Sequence, residues 1–358
     1  MKKLLFLFLT GISFSSFAQQ GFISSGKIID SATSLPLAGA SVFCQNTTLG
    51  TTSGSEGVFS LNLPDGGYDL IISYTGYETQ VVRIGITHSA NLLIALKQKD
   101  RTLQEVAIVG SNEVPDGLAK YGKFFMNNFL GNDTNATLSK IQNPEALQFY
   151  FSKKRNRLKV KAKEDLIIIN EALGYKIKFQ LDSFAYDYGP GLSVYTGFPF
   201  YEVLPGTEEQ KAVWNQNREK AYHGSRLQFM RSWYAHNLEK DGFKLEQVDS
   251  ASKDLETTPI ADPYDSLLYQ VIENNDVEIS YNGRMRIVYR NALPDPQYLR
   301  ENKMPASLRA QVSIMDISEG FVIQQNGYFY DQNDVINIGY WSWQKLADDL
   351  PYDYTPQP

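Results

Sequence analysis

Apolar and polar residues alternate through much of the first quarter of the chain. Phe59, Leu61 and Leu63 alternate with polar residues, and residues 68–74 repeat the same period. Because strand side chains point alternately to opposite faces, this period predicts strands with one buried face. Glycines separate the runs at intervals suited to tight turns. Several short strands with no helical period between them predict an all-β sandwich over residues 21–97.

The pattern becomes mixed from residue 120 onward. Strands are predicted where apolar residues cluster or alternate with charged ones: residues 147–151, 157–162, 165–169, 175–181 and 192–195. From Arg157 to Ala162, basic residues alternate cleanly with apolar ones. Residues 120–355 are therefore predicted to form an α+β domain with antiparallel hairpins around a pair of helices.

The start of each helix in this pair carries a capping signal. Thr207 with Gln210 and Ser225 with Gln228 place a hydroxyl three residues before a glutamine, the spacing of a capping box. Apolar residues of the second helix recur at helical spacing, which predicts one buried face. Gly242 indicates its C-terminal end.

A hairpin is predicted around Asn282-Gly283. These residues lie between two apolar runs, residues 277–281 and 285–289, and Asn-Gly is a strong signal for a two-residue hairpin turn. A further turn is indicated at Gln325-Asn326-Gly327.

The first eighteen residues have the three parts of a secretory signal. Lys2 and Lys3 are basic, residues 4–12 are almost entirely apolar, and Ser16 and Ala18 supply small side chains at a cleavage site. We therefore expect export with cleavage after Ala18, and a periplasmic or outer-membrane-associated location. Gln19 stands where a lipoprotein would need a cysteine. No later run approaches the ~20 apolar residues of a membrane-spanning helix.

The N-terminal region also resembles a known family. Its residues Gly26-Lys27-Ile28-Ile29-Asp30 are followed by Leu35-Pro36-Leu37-Ala38-Gly39-Ala40, Gly57-Val58-Phe59 and Ser73-Tyr74-Thr75-Gly76-Tyr77. This order resembles the carboxypeptidase-regulatory-like domain of the Bacteroidetes type over residues 21–98. The resemblance implies a transthyretin-like sandwich of about seven strands that is an accessory domain rather than a catalytic one.

Residues 98–119 are predicted to be a linker that contains one strand. Residues 103–109 resemble the segment that joins this sandwich to the plug of TonB-dependent outer-membrane receptors. The chain after it is too short for a plug and a large barrel. Residues 120–355 as a whole resemble the uncharacterised second domain that follows this sandwich in exported proteins.

Charge and cysteine content narrow the range of partners. The formal net charge is −6, which disfavours nucleic acid as a partner. Cys44 is the only cysteine, so no internal disulfide can form, and its apolar neighbours predict a buried thiol.

The candidates for catalysis are few. His236 and Glu239 form a His-x-x-Glu sequence, but a zinc carboxypeptidase site would need a further histidine downstream, and none follows. His223 is the remaining candidate ligand. We therefore predict no enzyme activity and no cofactor, with a hydrolase site around His223, His236 and Glu239 as an alternative.

Aromatic residues make up 13% of the chain. Tyr328, Tyr330, Trp341 and Trp343 could form a ligand-binding face, although strands favour such residues in any case. The sequence thus favours a non-catalytic binding or scaffolding role in the cell envelope, with a protein or a glycan as partner. An accessory of a TonB-dependent receptor is a further alternative.

Overall fold

The computed structural model describes residues 21–87, 89–99, 112–249, 256–330 and 332–357. The predicted signal at residues 1–18 and the predicted linker strand at residues 103–109 lie outside these ranges.

Twenty-one strands alternate with a small number of helices in the described residues. The strands are β1 (Gly21–Asp30), β2 (Ser41–Cys44), β3 (Gly50–Thr52), β4 (Val58–Pro64), β5 (Tyr68–Ser73), β6 (Gln80–Ile84), β7 (Leu92–Leu96), β8 (Ser139–Ile141), β9 (Leu147–Ser152), β10 (Arg157–Ala162), β11 (Leu166–Asn170), β12 (Tyr175–Asp187), β13 (Leu192–Val203), β14 (Phe243–Val248), β15 (Thr257–Pro259), β16 (Tyr269–Val271), β17 (Val277–Ile279), β18 (Gly283–Tyr289), β19 (Gln311–Ile317), β20 (Phe321–Ile323) and β21 (Val335–Gly339). The α-helices are α1 (Gly117–Phe129), α2 (Thr134–Thr137), α3 (Glu208–Tyr222), α4 (Arg226–Tyr234), α5 (Pro296–Glu301) and α6 (Tyr340–Trp343). Short 3₁₀ turns include Pro144–Ala146 and Leu346–Asp348.

The first seven strands form the predicted sandwich. One sheet has the order β4-β1-β7 and the other β3-β2-β5-β6. The alternate apolar residues Phe59, Leu61 and Leu63 of β4 are buried between the sheets, as the period of two predicts. Cys44 lies in the same core, and its predicted burial is confirmed.

The second region begins with a helix packed on a six-stranded antiparallel sheet. The sheet has the order β8-β11-β12-β10-β9, and β13 also pairs with β12. Phe125 and Phe129 of α1 are four residues apart, so both point towards this sheet and are fully buried in its core. Helix α1 begins at Gly117, so the predicted domain start at residue 120 falls inside it.

Two further sheets complete the second region. One has the order β15-β14-β18-β19-β21, and the other has the order β16-β17-β20. Helix α4 packs against them through Phe229 and Trp233, both with no exposed surface. The fold class predicted from the sequence, a sandwich followed by an α+β region, is confirmed.

The hairpin predicted around Asn282-Gly283 is wrong. Strand β17 pairs with β16 and β20, whereas β18 pairs with β14 and β19, so the two arms lie in different sheets. Gly283 has φ of 118° and pairs with Ile317 as the first residue of β18. The chain therefore passes from one sheet to another here, because strands distant in sequence supply the better partners.

The capping signals give mixed outcomes. Thr207 and Gln210 form the complete capping box at the start of α3. Ser225 accepts a hydrogen bond from the Gln228 amide, but the Gln228 side chain accepts from the backbone N–H of Gly224 instead. Helix α4 ends at Tyr234, well before Gly242, because His236 adopts a left-handed φ of 59°.

No helix in the described ranges has both the length and the apolar character needed to cross a membrane.

Candidate functional site

The predicted metal-ligand residues have separate surroundings. His223 lies at the C-terminal end of α3 beside the ring of Tyr222, whereas the ring of His236 stacks on Tyr264 with 4.2 Å between centroids. Within the part of the chain that the structure describes, no three His, Cys, Asp or Glu side chains are placed to hold a metal ion. The structure therefore does not bring His223, His236 and Glu239 together as a metal site.

The four aromatic residues of the predicted ligand face are not on one surface. Tyr328 and Trp341 are buried, with 3% and 9% of their surface exposed, and the Trp341 indole donates to the carbonyl of Gly224 at 2.7 Å. Tyr330 packs edge-on against Tyr328, and Trp343 donates to the Glu301 carboxylate on a different side. Their rings serve mainly to fill the core, as large aromatic side chains on strands commonly do.

The residues that the structure does bring together lie where the sandwich meets the second region. The loop after β2 contains Asn46, whose left-handed φ of 57° turns the chain outward. The Asn46 amide donates to the Pro199 carbonyl, and the Asn46 carbonyl accepts from the Tyr352 amide, both at 2.7 Å. Beside it, the Thr47 carbonyl accepts from the Tyr201 amide. Backbone bonds thus join the sandwich to β13 and to the C-terminal segment.

The side chains around this loop complete the first contact. Phe43 packs against Phe200 with 5.2 Å between ring centroids, and Thr48 is hydrogen-bonded through its amide and hydroxyl to the Asp353 carboxylate. Gly50 faces the same Phe200 ring so closely that a Cβ there would lie 2.9 Å from it. An aromatic pair and a charge-assisted hydrogen bond therefore reinforce the backbone bonds.

A second contact joins the Gly66-Gly67 turn of the sandwich to the turn after β20. The Asn326 side-chain amide donates to the Gly67 carbonyl at 3.0 Å in a buried position. A Cβ on Gly67 would lie 2.7 Å from Gln324, so only glycine allows this approach. The Arg83 guanidinium of β6 stacks 4.2 Å from the centre of the Tyr330 ring nearby. We call the two contacts together the domain seam.

Arg231 of α4 connects the seam to the C-terminus. Its guanidinium donates to the Asn326 carbonyl at 3.0 Å, to the Tyr354 carbonyl at 2.8 Å and to the Tyr352 carbonyl at 2.7 Å. A planar guanidinium with several fixed donors suits this role. Arg231 therefore holds two parts of the second region that contact the sandwich: the turn at Asn326 and the C-terminal segment at Tyr352 and Tyr354.

A polar cavity of about 120 Å³ lies at this junction. It is lined by residues from every part of the protein that meets there: Asn46, Tyr195, Ser225, Arg226, Leu227, Gly327, Trp341, Gln344, Asp348, Asp349, Leu350 and Tyr352. At ~30 Å³ for each water, the volume suits a few water molecules or one small polar ligand rather than a polymer.

The carboxyl groups of the cavity hold their protons more tightly than usual. Burial and the neighbouring Asp133 raise the pKa of Asp348 well above its ordinary value. Burial also raises the pKa of Asp349, against the opposing charges of Arg226 and Lys345. Burial in turn lowers the pKa of Lys345. The cavity therefore presents polar groups that can hydrogen-bond to water.

Sequence reasoning missed the residues that form the seam and the cavity. Asn326 and Gly67 were recognised only as turn residues, and Arg231 and Asp348 carried no motif. Their roles depend on partners from 95 to 259 positions away, and no local pattern reports such pairing.

The N-terminal region is similar to known proteins. Residues 24–108 match the family model described as the CarboxypepD_reg-like domain. The TonB-dependent receptor P3 of Formosa agariphila is 29% identical over 114 residues, and the TonB-dependent receptor SusC of Bacteroides thetaiotaomicron is 32% identical over 116 residues. Each match covers 32% of this chain and 11% of the receptor. This chain thus matches about a tenth of the length of either receptor.

The comparison with solved structures adds no argument about the fold. A 9R-lipoxygenase from Cyanothece PCC8801 is 10% identical, with 63% of this chain and 50% of that chain covered, at a TM-score of 0.18. The family match concerns the sandwich and the residues directly after it. Residues 24–108 of this protein are therefore identified as a CarboxypepD_reg-like domain.

Proposed function

We propose that the protein is a non-catalytic, envelope-associated binding protein in which the sandwich and the second region form one rigid platform. The domain seam is the observation that carries this proposal. A sandwich that only tethered its neighbour would need no fixed distance to it, whereas here backbone bonds, an aromatic pair and a buried amide fix their relative position.

The envelope location is supported by the relatives. The N-terminal third of this chain is similar to part of two TonB-dependent receptors, and residues 1–18 have the pattern of a secretory signal. A role as an accessory beside such a receptor fits the same observation. Binding is favoured over hydrolysis by the separate surroundings of the histidines, since His223 lies beside Tyr222 and His236 stacks on Tyr264.

Fractionation tests the location. The full-length chain with a C-terminal tag should be recovered with the periplasm or the outer membrane, and should lose its first residues during export. A chain without residues 1–18 should stay in the cytoplasm. Recovery of the full-length chain from the cytoplasm would overturn the envelope proposal.

The rigid platform is tested by the seam. Gly67→Ala should weaken co-sedimentation with washed outer-membrane vesicles, because it displaces the sandwich from the second region. Gly85→Ala should leave co-sedimentation unchanged, because a Cβ at Gly85 meets no atom within 4 Å. Equal co-sedimentation of both variants would show that the two regions bind independently.

Turnover of peptide or glycan substrates by the intact protein would contradict the non-catalytic role.

A further inference from the structure

A dense cluster of positive charge lies on the hairpin between β9 and β10. Residues 153–163 contain seven basic side chains and no acidic one, within a chain whose formal net charge is −6. The turn supplies Lys153, Lys154 and Arg155, all exposed. Seven positive charges within one hairpin repel one another, which disfavours this arrangement unless the charges serve a function such as binding an anion.

Three more of the basic side chains are held in a row by strand geometry. Arg157, Lys159 and Lys161 are alternate residues of β10, so they lie on the same face about 7 Å apart. The residues between them, Leu158 and Val160, are fully buried and fix this face outward. We call the row and its turn the basic hairpin.

Most of these cations have no acidic partner. Among the described residues, Arg157 alone in the hairpin forms an ion pair, with Asp187 at 2.7 Å. Lys159 lies between Tyr150 of β9 and Ala185 of β12, neither of which can neutralise it. Burial and the charge of Glu113 raise the pKa of Tyr150, and the Glu113 carboxylate accepts a hydrogen bond from Gln148. Lys159 and Lys161 therefore present positive charge to solvent, while the charge of Arg157 is paired with Asp187.

A cavity of about 300 Å³ lies at one end of the row. It is lined by Asn112, Tyr150, Ser152, Arg155, Arg157 and Lys159. The Tyr150 hydroxyl is buried and has no hydrogen-bond partner in the structure. A buried donor without a partner is uncommon, because leaving it unpaired has a cost in free energy. A hydroxyl donor together with Arg155 and Lys159, and with Arg157 held by Asp187, suits an anionic group.

We propose that the basic hairpin binds an acidic polysaccharide, with one anionic sugar unit in the Tyr150 cavity and the following units along Arg157, Lys159 and Lys161. The proposal rests on the binding role proposed above and names the chemistry of the partner. A row of evenly spaced charges on a flat strand face matches an extended chain with repeated charges better than it matches a compact phosphate. The hairpin also offers no exposed apolar side chain to insert into a membrane.

Charge reversal tests the row. Fluorescently labelled oligogalacturonate and dextran sulfate carry carboxylate and sulfate groups, and neutral dextran carries neither. The Kd for at least one charged probe should rise about tenfold or more in the Lys159→Glu/Lys161→Glu variant, because attraction becomes repulsion. The matched variant Lys27→Glu/Lys140→Glu changes the net charge equally at two exposed strand lysines elsewhere, and should change Kd less than about twofold.

The Tyr150 cavity needs its own variant. Tyr150→Phe keeps the ring and removes the hydroxyl, so Kd should rise roughly fivefold, as expected for loss of one hydrogen bond. Circular dichroism and thermal unfolding of each variant check that it folds. If the double reversal does not fold, Arg155→Gln in the exposed turn replaces it, with a smaller rise in Kd expected.

Several results would overturn the inference. These are failure of the wild-type protein to bind either charged polysaccharide, equal loss of affinity in both double reversals, and tighter binding to phosphatidylglycerol vesicles or to single-stranded DNA of matched charge. None of these results would affect recovery of the protein with the envelope or the effect of Gly67→Ala. The failure of this inference is thus distinguishable from failure of the proposed function.

Discussion

The side-chain amide of Asn326 donates to the carbonyl oxygen of Gly67 at 3.0 Å, and this buried bond joins residues 259 positions apart. The Asn326 carbonyl is one of three carbonyls around the seam that accept hydrogen bonds from the Arg231 guanidinium. The sandwich is thus fixed to the second region by buried polar groups. Their hydrogen bonds form only when the sandwich and the second region are in contact.

Gly67→Ala should destabilise the protein by about 1–3 kcal/mol, the usual cost of inserting a methyl group where there is no space. The new Cβ would lie 2.7 Å from Gln324 and 3.1 Å from the Tyr328 ring. Urea unfolding measures the change. Gly85→Ala, which meets no neighbouring atom, serves as the control and should differ from the wild type by less than about 0.5 kcal/mol. Equal effects of the two changes would contradict a close packing at the seam.

Asp348→Asn should stabilise the protein at pH 8 by about 1 kcal/mol, because an amide is neutral without holding a proton. The raised pKa of Asp348 means that the folded state binds this proton more tightly than the unfolded state. Its stabilising effect is therefore complete below about pH 4 and is lost as the pH rises through the raised value. Burial and then Asp133 cause this rise at Asp348, while the charges of Arg226 and Lys345 oppose the same trend at Asp349.

The measurement is the free energy of unfolding between pH 5 and pH 8. The wild-type curve should fall towards pH 8, and the Asp348→Asn curve should fall less. Asp116→Asn, at an exposed position without a side-chain cap bond, should follow the wild type. Parallel curves for wild type and Asp348→Asn would show that this carboxyl is ionised in the folded state.

Arg286→Met should destabilise the protein by about 1–3 kcal/mol at pH 7, because it leaves a buried carboxylate with fewer donors. Burial raises the pKa of Glu246, but hydrogen bonds from Lys244 and Arg286 outweigh burial and leave that pKa below its ordinary value. This contribution is therefore present above about pH 4.5 and is lost as the pH falls through the lowered value.

Arg284 provides a matched control on the same strand. It pairs with Asp316, and both side chains are more than a third exposed, so Arg284→Met should cost less than about 1 kcal/mol. Chemical denaturation at pH 7 and pH 4 compares the two variants. A larger loss for Arg284→Met would contradict the ranking by burial.

Added Zn²⁺ should leave the midpoint of thermal unfolding unchanged at micromolar concentrations. A metal that binds only the folded state raises the midpoint, and the structure does not bring His223, His236 and Glu239 together for this purpose. An increase that His236→Ala abolished would revive the hydrolase alternative.

His236→Asn should be tolerated better than His236→Ala, because asparagine adopts the left-handed φ more readily.

The sequence by itself determined the local elements and the class of fold. The period of two in β4 and the basic-apolar alternation in β10 depend only on strand geometry, so both strands were predicted where they occur. The Thr207–Gln210 cap was equally predictable, because donor and acceptor lie within one helical turn. The turn and core residues of the sandwich were also sufficient for the family resemblance.

Tertiary structure decided which strands pair and what the turns contact. Asn282-Gly283 satisfied the local rule for a hairpin, yet β17 and β18 found their partners in β20 and β19. The sequence indicates only that Gly66 and Gly67 lie in a turn. In the structure, the absence of a side chain at these positions lets Asn326 and Gln324 pack against the turn. Local propensity acts over a few residues, whereas burial and hydrogen bonding are satisfied over the whole chain, so the seam and the cavity could emerge only from the complete fold.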